Sequence, residues 1–144
     1  MKTSLFIFLL LCVSSLTAHQ DHLPGKSVDT VFNKAFPDAT NLKWFENDDE
    51  FVVYFDIDEV HYQLNFNNAA DIKQSIRYYK AENLPPYISA RVAREFPELE
   101  IEGVTEVQAA ASIHYMIVLT DKETILKVKS DVSGNFEVKN ILNK

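Results

Sequence analysis

One pattern is written twice in this chain, and it limits the fold more than any other feature. Val31-Phe32-Asn33-Lys34-Ala35-Phe36-Pro37-Asp38 aligns with Arg91-Val92-Ala93-Arg94-Glu95-Phe96-Pro97-Glu98 at an offset of 60. Downstream, Phe51, Val53 and Phe55 align with Ile113, Tyr115 and Ile117 at an offset of 62. The same offset of 62 pairs Leu64 with Leu126, Phe66 with Val128 and Ile76 with Val138. The second copy is therefore expected to carry two extra residues near Gly103 to Ala111. A fixed internal period marks a supersecondary unit used more than once.

Each copy opens with a helix. Val28, Val31, Phe32, Ala35 and Phe36 share one side at helical spacing. Ser27 is placed to cap the helix and Asp29 to complement its positive end. Pro37 stops it, because a residue before proline avoids the α region. Leu84-Pro85-Pro86 fits the start of the second helix, where a missing N–H costs little. Ile88, Val92 and Phe96 form its buried stripe and Pro97 ends it.

Four strand-like segments follow each helix. They read 41–46, 50–57, 60–66 and 71–79 in the first copy, and 100–107, 112–120, 123–130 and 135–142 in the second. Asn47-Asp48-Asp49, Asp58-Glu59, Asn67-Asn68-Ala69-Ala70 and Asp131-Val132-Ser133-Gly134 supply turns. Connections this short make neighbouring strands antiparallel. The expected fold is α+β: a tandem repeat of one helix plus a four-stranded antiparallel sheet, giving an eight-stranded curved sheet with both helices on one face. The units are expected at 27–82 and 83–144.

The N-terminus reads as an export signal. Lys2 precedes an unbroken apolar run from Leu5 to Val13, and small and polar residues lead to Ala18. That layout is a secretory signal peptide over 1–18, followed by a flexible stretch over 19–26. The run is too short to span a bilayer, which takes about 20 apolar residues. Cleavage removes Cys12, the one cysteine, and Lys2, which takes the formal charge from −7 to more negative still. The mature chain is expected to be periplasmic or secreted, without membrane insertion. Nucleic acid is not an expected partner, since phosphate binding wants a basic surface.

The residues also resemble a known family. The signal peptide, Phe36-Pro37 and Phe96-Pro97, the Trp44 strand, the aromatic strand Phe51-Val52-Val53-Tyr54-Phe55 and Leu84-Pro85 look like the PepSY-like, β-lactamase-inhibitor-like family of exported bacterial proteins. The resemblance covers about 27–142 and rests mostly on packing residues and turns. It implies the fold of the β-lactamase inhibitor protein (BLIP), a tandem of helix-plus-sheet repeats. The turn Asn67-Asn68-Ala69-Ala70 departs from the pattern by lacking a glycine, which Gly134 keeps. The resemblance carries over no inhibitory residue.

Motifs for chemistry are missing from the sequence. It has no G-x-S-x-G elbow, no S-x-x-K, no P-loop and no G-x-G-x-x-G, so the reading is non-enzymatic and without cofactor. His19 and His22 lie in the flexible start, where His19 with the new α-amine is a minimal metal chelator at most. His61 and His114 fall in strands opposite the apolar positions and read as half-exposed strand histidines. Glu46-Asn47-Asp48-Asp49-Glu50 lacks the spacing and glycine of a calcium loop and reads as a solvated hairpin tip; Asp56, Asp58 and Glu59 read the same way.

Strand parity then sorts two faces. Leu42, Trp44, Phe51, Val53, Phe55, Val60, Tyr62, Leu64, Phe66, Ile72, Ile76, Ile113, Tyr115, Ile117, Leu126, Val128, Phe136 and Val138 are expected toward the helices. Lys43, Phe45, Val52, Tyr54, His61, Gln63, Lys73, Arg77, Tyr79, His114, Met116, Val118, Ile125, Lys127, Lys129, Lys139 and Ile141 are expected on the opposite, open face. Aromatic anchors with basic neighbours suit a protein interface. Phe45, Tyr54, Tyr79 and Met116 are expected to supply apolar contact, and Lys73, Arg77, Lys127 and Lys129 to attract an acidic protein partner in the cell envelope. The alternative is a periplasmic small-ligand binding protein, which a deep apolar pocket would favour. Sequencing of the protein purified from its native host should read from near His19; retention of Met1 to Ala18 on a membrane-bound form would refute cleavage.

Overall fold

The computed structural model describes residues 26–47 and 50–144. The export segment 1–18, His19, His22 and the turn residues Asp48 and Asp49 lie outside the described residues. Two helices, α1 (Lys26–Ala35) and α2 (Pro86–Glu95), are each followed by four strands. These are β1 (Thr40–Asn47), β2 (Glu50–Ile57), β3 (Val60–Asn67) and β4 (Ile72–Tyr79), then β5 (Glu100–Ala109), β6 (Ser112–Thr120), β7 (Thr124–Asp131) and β8 (Phe136–Asn143). All eight form a single antiparallel sheet in sequence order, β1 to β8. Ser27 lies inside α1 rather than at its cap, since the helix already begins at Lys26. Pro86 occupies the first turn of α2, as its missing N–H allows.

Both helices lie on one face. Val28 and Phe32 of α1 pack with Trp44, Phe51, Val53, Phe55, Leu64 and Phe66, all buried. Ile88 and Val92 of α2 pack with Val104, Tyr115, Ile117, Leu119, Leu126 and Val128. The cross-strand rows link the two sets: Val53 faces Leu64, Leu64 faces Ser75, Ser75 faces Gln108 and Gln108 faces Ile113. The same architecture is filled differently in each unit. In the first, the Phe32 ring meets Trp44 and Phe55 edge-on at 5.2 and 5.0 Å, geometry that adds to burial energy. The second unit fills the corresponding space mainly with aliphatic side chains.

The ladders correct the repeat register. Trp44 opposite Val53 corresponds to Val104 opposite Ile117, so the offset is 60 along the first strand and 64 along the second. The difference lies in the β5–β6 hairpin, whose strands are longer than those of β1–β2. The following turns keep the offset of 64. Asn67 Oδ1 accepts from the N–H groups of Ala69 and Asp71, and Asp131 Oδ1 from those of Ser133 and Asn135. A side-chain bond closes each turn with the amide and acid exchanged: Asn67 donates to Asp71, and Asn135 donates to Asp131. Ala70 has φ 64 where Gly134 has φ 77, so the turn without a glycine adopts the same left-handed backbone.

Bulges overturn part of the face assignment. One extra residue, Lys73, interrupts the pairing of β3 with β4, since Phe66 faces Ile72 while Asn65 faces Gln74. Strand periodicity is two, so a single insertion exchanges the faces of everything beyond it. Ile76 therefore turns to the open face, opposite Gln63 and Val107. Arg77 and Tyr79 turn the other way, opposite Glu106 and Val104 on the helix side. A second bulge at Lys139 likewise puts Ile141 opposite Leu126. At the margins of the core, Leu42, Ile72 and Val138 remain exposed.

Arg77 and Tyr79 complete a polar knot where the two units join. Glu106 is 6% exposed. Its carboxylate takes hydrogen bonds from Arg77 Nε and Nη2 and from the Tyr79 hydroxyl at 2.8 Å. The Arg77 guanidinium also lies over the Tyr79 ring, 5.7 Å from its centroid. Burial, reinforced by the bond to Glu106, pushes the Tyr79 phenol far above its ordinary value. A buried carboxylate without a partner is costly, whereas a matched apolar replacement of the whole pair need not be.

Three stability tests follow from this arrangement. Arg77→Met should lower unfolding free energy by about 3 kcal/mol, the low end for a broken buried pair because the guanidinium is partly in solvent, and adding Glu106→Leu should restore most of it. Tyr79 is neutral when folded, so its contribution is complete below pH about 10 and falls as an unfolded tyrosine begins to ionise above it; denaturant melts should show a smaller alkaline loss in Tyr79→Phe. Gly134→Ala should cost about 1–2 kcal/mol, because an L side chain resists the left-handed region and its Cβ would lie 3.1 Å from Arg91 Cδ.

Candidate functional site

The face away from the helices is built by cross-strand rows. Lys43, Tyr54, Gln63, Ile76, Val107, His114 and Asp131 follow one another across β1 to β7. The next row runs Asp56, His61, Tyr78, Thr105, Met116, Lys129 and Glu137. Of the residues expected to make contact, Phe45, Tyr54, Met116, Lys127 and Lys129 share this face. Phe45 and Tyr54 are direct neighbours, with perpendicular rings 5.6 Å apart. They are 42% and 41% exposed. Met116 faces Lys129, and Val118 faces Lys127, at the other end. Arg77 and Tyr79 are absent from this face for the reason given above. Lys73, the bulged residue, borders a groove on the helix side with Phe36, Leu64, Ile72, Ser75 and Gln108.

The two ends of the face differ in chemistry. The first-unit end carries aromatic rings and amides: Phe45, Tyr54, Tyr78, Gln63, Asn65 and Gln74. Gln63 donates to Asn65 at 3.1 Å. The second-unit end carries Met116 and Val118 with Lys127 and Lys129, next to His114. Burial first, and then the Lys129 charge, lower the His114 value.

One cluster escaped the sequence reading. Asp56, in strand β2 as expected but read there as only a solvated acid, accepts from Asn41 Nδ2 at 2.8 Å and bonds His61 Nδ1. These two bonds, the His61 one first, hold its carboxyl below the usual range. Asn41 reaches Asp56 from a bulge in β1, where its φ is 55. Asparagine tolerates that left-handed backbone better than most residues, but nothing in the sequence around Asn41 announces a bulge. Glu106 escaped too, although an acid two residues after Val104 on an apolar parity was a usable signal.

Among the described residues, no group of three or more His, Cys, Asp or Glu is placed to share a metal ion. No helix among them is long and apolar enough to cross a membrane. Surface depressions such as the one beside Asp56 are open grooves, not deep enclosed cavities.

Comparison with known proteins fixes the fold and leaves the family open. No protein-family model and no curated protein matches the chain. Solved structures do match. A BLIP-like protein from Bacteroides fragilis superposes with a TM-score of 0.63 at 14% identity, over 85% of this chain and 87% of that one. A protein from Bacteroides eggerthii, provisionally named periplasmic, gives 0.62 at 18% identity, over 85% and 90%. A DUF2874 family protein from Bacteroides uniformis gives 0.61 at 17% identity, over 84% and 90%. The chain therefore has a BLIP-like fold, with eight antiparallel strands in one open sheet and two helices on one side.

Proposed function

We propose that the chain is an exported, non-catalytic module that binds a protein of the cell envelope through its open sheet face. The observation that carries this reading is the Phe45–Tyr54 pair, two half-exposed rings in edge contact on the face that neither α1 nor α2 covers. Large aromatic side chains supply interface energy at low conformational cost. Lys127 and Lys129 stand at the other end of the face, with Glu137 opposite Lys129. These two lysines are the groups that would meet an acidic partner, and opposite charge speeds encounter. The export segment over 1–18 supplies the compartment, periplasmic or secreted. One structural neighbour is named BLIP-like and another is provisionally named periplasmic, and both names agree with this reading. Kinship with the PepSY-like, β-lactamase-inhibitor-like family belongs to the same proposal, as does inhibition of an enzyme, since fold alone does not fix function.

The test is capture of envelope proteins on the immobilised chain, with affinities measured for each partner identified. Tyr54→Ala should weaken binding by about 1–2 kcal/mol or more if the ring is central. Lys127→Glu should mainly slow association and change its salt dependence. Arg94→Ala, on the exposed side of α2, should leave binding unchanged. Equal binding by all three variants would show that the sheet face is only a solvated surface.

A further inference from the structure

A groove of about 560 Å³ opens at the first-unit end of the sheet, lined in part by Asn41, Lys43, Tyr54, Asp56, His61 and Tyr78. We propose that this groove binds a neutral sugar, stacked on the rings of Tyr54 and Tyr78 and held by the Asn41–Asp56–His61 array. The site is separate from the lysine-rich end of the face, and the proposal does not depend on a protein partner.

The polar groups carry the first part of the argument. Asp56 Oδ2 takes the Asn41 amide at 2.8 Å, and Oδ1 is bonded to His61 Nδ1. Each carboxylate oxygen has capacity for a further hydrogen bond. The Asn41 side chain keeps an oxygen acceptor and a second N–H, and the imidazole keeps Nε2. Donors and acceptors are thus interleaved and held in position by one another. A sugar hydroxyl both donates and accepts, so neighbouring hydroxyls match an interleaved array. A carboxylate or phosphate, which only accepts, would leave the acceptors of Asp56 facing it.

Charge and ring geometry agree. Lys43 and Asp56 oppose each other in sign within the groove, so it offers no net field for an ionic ligand. Tyr54 and Tyr78 are 41% and 38% exposed, and an amphipathic ring can cover the C–H face of a sugar while its hydroxyl stays hydrogen-bonded. Aromatic walls with a few convergent polar groups are the usual make-up of a small-ligand site. The left-handed Asn41 at the groove's edge is a backbone conformation of the kind that collects at ligand sites.

Nuclear magnetic resonance on isotope-labelled protein tests this with three neutral probes, maltose, cellobiose and diacetylchitobiose, and with glucuronate as an anionic one. At least one neutral probe should give saturable shifts at the backbone amides of Asn41, Tyr54, Asp56, His61 and Tyr78. Asp56→Ala and Tyr78→Ala, each checked for an intact fold by its dispersed spectrum, should weaken that probe about tenfold, the loss of one charge-assisted hydrogen bond or its equivalent. Lys127→Glu should bind it as the parent does. Absence of saturable shifts with all three neutral probes would overturn the proposal. So would unchanged affinity in Asp56→Ala, or stronger binding of glucuronate than of any neutral probe.

Discussion

The pairing of β4 with β5 is the contact on which the molecule depends. Each unit alone is one short helix on four strands, and a sheet that small buries too little surface to stand comfortably by itself. Joining the two through Gln74–Tyr79 and Val104–Ala109 turns two sheets into one. The junction is also where apolar packing is thinnest, because α1 and α2 each cover their own unit and the rows between them pass through Ser75, Gln108, Arg77 and Glu106. The Arg77–Glu106–Tyr79 knot occupies that gap. Its bonds are directional, so it holds the register of β4 against β5 in a way that a slippery aliphatic contact would not.

Most of the architecture was legible because its signals are periodic. The helix stripes, the Phe-Pro stops and the polar turns located ten elements to within a few residues, since apolar spacing and proline act locally. The faces of β4 and β8 beyond their bulges were not legible. Lys73 and Lys139 are the residues that break the alternation, and a lysine in a strand looks the same whether or not it is bulged. Each bulge depends on how the neighbouring strand is anchored, a long-range property. Arg77 and Tyr79 were consequently assigned to the wrong side, whereas Phe45, Tyr54, Met116, Lys127 and Lys129, on strands without an insertion between them and the core pattern, were assigned to the right one. The repeat offset failed for a related reason: Leu64 matches Leu126 in type as well as it matches Val128, and the longer β5–β6 hairpin decides between them.

The open face gains its character from the same division of labour. Helix-side positions are taken by Phe55, Phe66, Ile117, Leu119 and Val128, all essentially inaccessible, which leaves the opposite positions without a packing duty. On that face, as in their cores, the two units differ. Aromatic rings, amides and the Asn41–Asp56–His61 array stand at one end, and a methionine, a valine and two lysines at the other. A repeated scaffold can vary one face in this way without disturbing the hydrophobic layer beneath it.

An open sheet has two outer rims, here β1 and β8, and each presents main-chain donors and acceptors along its length. Such rims invite strand-by-strand accretion, the first step toward fibrils. Both are interrupted, β1 at Asn41 and β8 at Lys139, which pairs with Glu137. A rim with a kink and charge cannot offer the straight, unbroken row that another strand needs. The consequence is colloidal: the chain can expose a broad face of rings and aliphatic groups and still resist polymerising through its margins.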